Sequence, residues 1–156
     1  MKALRVGVIG VGHIGKNHAR LYADGGAAEF TAIYDSNAEA AAAIAAEYQV
    51  RAASSLEEFS GLIDAASIAT PTSSHFEIGR ALLEQGKHLL IEKPIADDTA
   101  QASAPAELAK AHGLVLPVGH GERFNPVLPA PAARLPRPPF LQAPRLSPVP
   151  TRTPDT

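Results

Sequence analysis

The 156-residue sequence contains no cysteine and no tryptophan, and aromatic residues make up only 5% of it. Without cysteine the chain can form neither a disulfide nor a thiolate zinc site, and it has no cysteine nucleophile. The formal net charge of −2 provides no field that would attract nucleic acid or an anionic membrane. We therefore expect a cytoplasmic protein without a metal site and with neither nucleic acid nor membrane as a partner.

Long apolar runs are also missing. No stretch approaches 18 apolar residues without a charge or a glycine, so the sequence predicts no membrane span. The apolar run near the N-terminus is interrupted by Gly7 and Gly10, which makes it too short for the hydrophobic region of a signal peptide.

The sequence divides into two regions of different composition. Residues 1–125 alternate short apolar runs with longer helical patterns, whereas residues 126–156 hold 10 of the 14 prolines. Proline has no amide hydrogen to donate and breaks helices. A chain of this length has room for one ordinary domain. We therefore predict one domain over residues 1–125, followed by a proline-rich, irregular tail.

The apolar runs of the first region predict the strands of a sheet. They are nearly continuous rather than alternating, which indicates burial on both faces and hence a parallel sheet. The alternation of strands with helical stretches then predicts a doubly wound α/β domain. The predicted strands are Leu4–Ile9, Phe30–Tyr34, a weaker Val50–Ala52, Ala65–Ala69, His88–Ile91 and Leu114–Val118.

Several helices have recognisable starts. Ser36, Ser55 and Ser74 are each followed three residues later by glutamate, the pattern of a capping box, in which each side chain accepts from an amide of the other residue. Pro105 falls inside a helix expected from about Asp98 to His112. Because proline disturbs a helix interior, we expect this helix to start late or to kink.

A glycine-rich loop joins the first predicted strand to the helical stretch that follows it. Gly10-Val-Gly12-His-Ile-Gly15 matches the G-x-G-x-x-G pattern, in which helix N-terminal amides hold a pyrophosphate. The simpler alternative is a strand–helix turn that uses glycine for its conformation alone. The cofactor-binding residues predicted here are Gly10, Gly12, His13, Ile14 and Gly15.

An acidic residue follows the second predicted strand. Asp35 lies 20 residues after Gly15, where a carboxylate can accept hydrogen bonds from the adenosine ribose and repel a 2′-phosphate. Between Asp35 and Tyr48 the sequence has no lysine or arginine to neutralise such a phosphate. We therefore expect NAD rather than NADP as the cofactor, although an aspartate after a strand is also a common turn residue.

Polar segments follow three later strands, where ligands collect in doubly wound sheets. Thr70–His75, Glu92–Pro94 and Gly119–Pro126 occupy these positions. Lys93 is the most interesting of their residues. If it is partly buried, it is suited to proton transfer or to hydrogen bonding with a hydroxyl. From these residues alone, Lys93–Pro94 can equally be a solvated turn.

Four motifs in this order are similar to those of the Gfo/Idh/MocA family. They are the glycine-rich loop, Ala69-Thr-Pro71 with His75, Glu92-Lys93-Pro94, and Gly119-His120 with Arg123. The family consists of NAD(P)-dependent dehydrogenases and reductases that act mostly on sugars, cyclitols and sugar nucleotides. The resemblance covers residues 1 to about 126 and implies a dinucleotide-binding Rossmann domain.

The resemblance also implies a role for each residue at the strand ends. Thr70, Pro71 and His75 would border the cofactor, and Glu92 would lie beside the nicotinamide ribose. Lys93 would contact the substrate hydroxyl as a catalytic residue and would also border the cofactor. The peptide bond that follows Lys93 is cis in many members of the family.

Two more residues are candidates for the substrate cleft by the same resemblance. His120 and Arg123 would line the cleft near the nicotinamide. A structural role in the loop stays open for His120, and a plain salt bridge stays open for Arg123.

The sequence departs from the family at its C-terminal end. Members continue into an open-faced sheet domain that supplies the substrate pocket, usually a catalytic histidine, and the interface of a homo-oligomer. Here the chain ends at Thr156. We expect a truncated chain in which residues 126–156 are a remnant of the start of that second domain.

The function implied by the resemblance is hydride transfer between a carbinol of a sugar-like small molecule and nicotinamide. This chain would hold the cofactor-binding half and have little or no activity alone. Two alternatives stay open, a non-catalytic NAD-binding regulatory module and an inactive remnant. The intact Glu92-Lys93-Pro94 argues against a pure sensor, whereas the expected absence of a substrate domain argues for one.

Overall fold

Short apolar segments pair as the strands of a parallel sheet. The computed structural model describes residues 3–125. In that part of the chain the strands are β1 Arg5–Ile9, β2 Glu29–Tyr34, β3 Arg51–Ala52, β4 Ala65–Ile68 and β5 His88–Ile91. Their order across the sheet is β3-β2-β1-β4-β5, and every pair is parallel. The apolar runs predict a parallel α/β sheet, and the observed strand order is the Rossmann-like one that the family resemblance implies.

Helices connect successive strands, as parallel pairing requires. They are α1 His13–Gly25, α2 Ala38–Tyr48, α3 Leu56–Leu62, α4 His75–Glu84 and α5 Thr99–Ala111, with short 3-10 helices at Thr72–Ser74 and Gly121–Phe124. Over residues 3–125, no helix combines the length and the apolar character that crossing a membrane requires. The predicted tail, residues 126–156, lies outside the described residues.

Apolar side chains are buried on both faces of the sheet. On one face Val8 and Ile33 pack with Ala19 of α1 and with α2. On the other face Ile9 packs in a second cluster with Phe59 of α3 and with α4. Full burial of a side chain such as Ile33 contributes about 1.5–3 kcal/mol, so the two clusters provide most of the stabilisation. They hold the C-terminal ends of the strands along one edge of the sheet.

The predicted strand at Leu114–Val118 is wrong as a regular strand. Only an isolated bridge between Val118 and Ile91 forms there, although the amides of Leu89 and Ile91 donate to the carbonyls of Val115 and Pro117. Pro117 has no amide hydrogen with which to return a hydrogen bond to β5. The segment therefore follows β5 without completing a ladder.

Two of the three predicted capping boxes are also wrong. At α2 the cap is Asn37, whose side chain accepts from the amide of Ala40 at 3.1 Å. At α4 the hydroxyl of Ser74 bonds back to Thr70 and Pro71 and caps nothing. At α3 the Ser55 side chain accepts from the amide of Glu58 as expected, but the Glu58 carboxylate accepts from Ser54 instead of Ser55, so only half of this box forms.

The proline-containing helix begins where the sequence places it rather than late. Asp98 caps α5, and its carboxylate accepts from the amide of Gln101 at 2.8 Å. The helix then runs through the buried Pro105 to Ala111. The Asp98 cap stabilises the helix and so offsets part of the destabilisation that results from the hydrogen bond lost at Pro105.

An ion pair beside β1 makes the stability of the fold depend on pH. The Arg5 guanidinium donates to Asp64 at 2.6 Å and lowers the pKa of that carboxyl from 3.8 to about 2. Because the folded pKa is the lower one, the pair stabilises the fold fully above about pH 4, and this contribution is lost as the pH falls towards 2.

We expect Asp64→Asn to reduce the free energy of unfolding at pH 5 by about 1 kcal/mol, since solvent screens a partly exposed pair. At pH 2.5 the difference from wild type should shrink. Urea unfolding at both pH values measures it. The control is Glu77→Gln, which breaks an exposed pair with Arg80. An Asp64→Asn effect that does not change with pH would contradict this account.

Candidate functional site

The turn between β1 and α1 is built around two glycines. Gly10 has a φ of 81°, which favours glycine, and its amide donates to the carbonyl of Tyr34 at 2.9 Å. A Cβ added to Gly15 would overlap the carbonyl oxygen of Gly10. These two glycines therefore let the helix begin directly behind the end of the strand.

The N-terminus of α1 is open. Gly12 is its N-cap, no side chain caps the helix, and no acidic residue lies in its first turn. A Cβ added to Gly12 would meet no protein atom within 4 Å, and His13 and Ile14 are exposed. The first amides of a helix have no partner within it and carry partial positive charge. This end of α1 fits an anion such as a diphosphate.

Asp35 lies beside this loop at the end of β2. One of its carboxylate oxygens accepts from the amide of Val11 at 2.7 Å, and the other accepts from the amide of Asn37 at 2.8 Å. The sequence predicts a ribose ligand here, and the structure adds that Asp35 also fixes the glycine-rich loop. Each carboxylate oxygen has a second lone pair, so the half-buried side chain can still accept from hydroxyl groups.

His75 connects the segments that follow β4 and β5. Its ring nitrogens lie 2.9 Å from the carbonyl oxygens of Thr70 and Pro94, and the residue is only 1% exposed. Both ring nitrogens therefore face backbone carbonyls of the protein. Thr70 is half-buried and Pro71 is exposed, so the backbone that His75 fixes forms part of the same edge.

Glu92 and Lys93 follow β5 at this edge. The half-buried Glu92 carboxylate lies 3.1 Å from Nε2 of His18, and its other oxygen accepts from the amide of Lys93 at 3.3 Å. The bond between Lys93 and Pro94 is cis. Lys93 itself is exposed, so the described residues do not provide the partial burial that would suit it to proton transfer.

Three polar residues at this site are not singled out by the sequence motifs. The ring of His18 contacts Ser67 of β4 through Nδ1 at 3.1 Å, and the hydroxyl of Tyr22 lies 2.6 Å from the hydroxyl of Ser67. Two signals point to them. His18 and Tyr22 are four residues apart on one helix face, and Ser67 is a polar residue within an apolar strand.

The two cleft candidates lie in the last part of the chain that the structure describes. His120 precedes the 3-10 helix Gly121–Phe124, and Arg123 lies within it. The amide of Arg123 donates to the carbonyl of His120 at 2.9 Å, and both residues are exposed. Over residues 3–125, no group of three or more histidine and acidic side chains could hold a metal ion.

The sheet order divides this edge into two halves. Strands to one side of β1 carry Asp35, and strands to the other side carry Thr70, Glu92 and Lys93. In open α/β sheets, ligands bind beyond the carboxyl ends of the strands where the order reverses, which here is between β1 and β4. The open N-terminus of α1 lies at that position, so the residues present fit a dinucleotide.

Comparison with known proteins agrees with this geometry. Residues 4–120 match the model of the Gfo/Idh/MocA oxidoreductase family, described as an NAD-binding Rossmann fold. The chain belongs to this family. It is 41% identical over 153 residues to the UDP-N-acetylglucosamine 3-dehydrogenase of Acidithiobacillus ferrooxidans, a match that covers 97% of this chain and 48% of that protein. A crystal structure of that enzyme superimposes with a TM-score of 0.79 and covers 86% of this chain and 44% of its own.

Other members of the Gfo/Idh/MocA family act on cyclitols. The inositol 2-dehydrogenase of Rhizobium meliloti is 34% identical over 125 residues, which cover 79% of this chain and 38% of that enzyme. A scyllo-inositol dehydrogenase from Lactobacillus casei, solved with NAD(H) and scyllo-inositol, is 25% identical with a TM-score of 0.78, covering 86% of this chain and 41% of its own. The chain thus spans about half the length of these relatives or less, and it covers their cofactor-binding half.

Proposed function

We propose that this chain binds NAD and forms the cofactor-binding half of a dehydrogenase that acts on a carbinol of a sugar-like small molecule. The uncapped N-terminus of α1 carries this proposal. Its exposed amides and the empty space beside Gly12 are suited to a diphosphate. Asp35 on one side and Glu92 with Lys93 on the other then lie towards the two ends of a dinucleotide.

The adenosine end of the site favours NAD. The Asp35 carboxylate is fixed by two backbone amides, so it can accept from ribose hydroxyls without rearranging. The same negative charge repels a 2′-phosphate. We therefore propose NAD, with NADP bound less tightly.

The nicotinamide end of the site holds the proposed reactive residues. When bound, nicotinamide supplies the group that accepts or donates a hydride. Glu92 would contact the nicotinamide ribose, and Thr70, Pro71 and the backbone fixed by His75 would border the ring. Lys93 would donate a hydrogen bond to the substrate oxygen and polarise the hydroxyl. His120 and Arg123 would line the substrate cleft.

Calorimetric titration with NAD and NADP tests this proposal. We expect the wild-type chain to bind NAD more tightly than NADP. Asp35→Ala should lower the affinity for NAD by about tenfold, equivalent to about 1.4 kcal/mol of binding free energy. It should also narrow the difference between the two nucleotides, because the repulsion of the 2′-phosphate is removed.

Asp97→Ala is a suitable control, since Asp97 is an exposed acidic residue beyond β5. Unchanged NAD affinity in Asp35→Ala, or tighter binding of NADP by the wild type, would contradict the proposed role of Asp35. A panel of inositols and sugars with NAD, followed at 340 nm, tests catalysis by the chain alone. We expect little or no turnover, and rapid NAD reduction would show that the chain is a complete enzyme.

A further inference from the structure

A chain of hydrogen bonds crosses from α1 to the end of β5. The hydroxyl of Tyr22 lies 2.6 Å from Oγ of Ser67, which lies 3.1 Å from Nδ1 of His18. Nε2 of the same ring lies 3.1 Å from the Glu92 carboxylate. Glu92 is 74 residues from His18 in the sequence, so the contact joins the first crossover helix to the opposite half of the sheet.

For a neutral His18 ring, one arrangement of protons satisfies every hydrogen bond from Tyr22 to Glu92. A carboxylate only accepts, so Nε2 of His18 donates to Glu92. In the neutral ring Nδ1 then accepts, and it accepts from the hydroxyl of Ser67. The Ser67 oxygen in turn accepts from Tyr22. Hydrogen bonds that run in one direction polarise one another, so this order fixes the tautomer of His18.

Serine, histidine and glutamate in this order resemble a nucleophilic triad, but the burial excludes that chemistry. Ser67 is 0% exposed, within β4, and its hydroxyl faces His18 and Tyr22. A nucleophile must reach a substrate, whereas this hydroxyl cannot. Of these hydrogen-bonded side chains, only Glu92 lies at the edge of the sheet where the strands end.

The Glu92 carboxylate is restricted from other sides as well. Its second oxygen accepts from the amide of Lys93 at 3.3 Å. A Cβ added to Gly119 would lie 2.5 Å from Oε1 of Glu92, so the carboxylate packs directly against that backbone. The side chain is therefore confined on several sides, and over residues 3–125 the one side chain that donates a hydrogen bond to it is His18.

We propose that His18 is a positioning residue that fixes the Glu92 carboxylate for the nicotinamide ribose. This inference rests on the proposed NAD site. The N-terminus of α1 would hold the diphosphate, and the same helix carries His18 slightly more than one turn later. The helix α1 would thereby set the distance between the diphosphate and Glu92, which contacts the ribose. Ser67 and Tyr22 would keep the ring of His18 in its orientation.

Calorimetry with two nucleotides separates this role from a general structural one. ADP contains the diphosphate but lacks the nicotinamide ribose. We expect His18→Ala to weaken NAD about fivefold or more and to change ADP affinity less than about twofold, a difference of at least about 0.5 kcal/mol. Ser67→Ala should shift NAD affinity in the same direction by a smaller factor. The control is His112→Ala, at the exposed end of α5.

The outcomes distinguish the two proposals. If wild-type protein binds neither nucleotide, the proposed function fails and this inference fails with it. Suppose instead that wild-type protein binds both NAD and ADP. If His18→Ala then weakens the binding of the two nucleotides equally, or weakens the binding of neither, only the inference about His18 is overturned. A selective loss of NAD affinity supports it.

Nitrogen NMR of the wild-type imidazoles provides a readout that does not require a variant to fold. At pH 8 we expect His18 to carry its proton on Nε2 and none on Nδ1. A proton on Nδ1 instead would contradict the proposed order of donors and acceptors from Tyr22 to Glu92, and the inference would be overturned with it.

Discussion

Gly15→Ala should destabilise the protein more than any other single-methyl change in the loop. The added Cβ would overlap the backbone carbonyl oxygen of Gly10, and a backbone atom cannot move aside as the end of a side chain can. We expect the free energy of unfolding to fall by about 3 kcal/mol or more, a large share of the stability of a small domain. Urea unfolding followed by circular dichroism measures the loss.

Gly25→Ala is the matched control for this prediction. It adds the same methyl group to the same helix, and no protein atom lies within 4 Å of the new position. We expect the free energy of unfolding to stay within about 0.5 kcal/mol of wild type, or to rise slightly, because alanine favours helix. Equal stability of the Gly15→Ala and Gly25→Ala proteins would contradict the close approach of α1 to β1.

Gly12→Ala, unlike Gly15→Ala, should retain the stability of the fold and lose nucleotide binding. No protein atom lies within 4 Å of a Cβ at Gly12, and the φ of −67° is accessible to alanine. The space is empty in the protein because, in our proposal, it is where the diphosphate approaches the backbone. We expect the affinities for NAD and for ADP to fall by at least about tenfold, which is about 1.4 kcal/mol of binding free energy.

Calorimetry and urea unfolding on the same Gly12→Ala sample test both halves of that prediction. The Gly25→Ala protein is again the control, since it should bind NAD as wild type does. If Gly12→Ala retains full NAD affinity, the diphosphate does not lie against Gly12. If it unfolds as readily as Gly15→Ala, the open space beside Gly12 is not available to a methyl group.

Local chemistry explains which features the sequence could predict. The turn at Gly10 and Gly15 depends on residues that are close in sequence, so the motif and the structure agree. The position of Asp35 at the end of β2 follows from strand spacing. The parallel sheet with crossover helices follows from the alternation of apolar runs with helical stretches.

Contacts between distant segments explain what the sequence could not predict. His18 meets Glu92 only because the fold places α1 beside the end of β5, and no local pattern reports that contact. The exposure of Lys93 likewise depends on what surrounds it in space. The cap at α2 is Asn37 and not the expected Ser36, because the Asn37 side chain accepts from the amide of Ala40, a contact that the capping pattern alone does not reveal.

Amide NMR of the wild-type chain tests whether the amides at the start of α1 hold a diphosphate. We predict that adding ADP or NAD shifts the amide signals of Gly12, His13, Ile14 and Gly15 more than those of any other helix start. Adenosine, which has no phosphate, should leave them in place. If NAD binds while these four signals stay unchanged, the diphosphate is held elsewhere and the account is wrong.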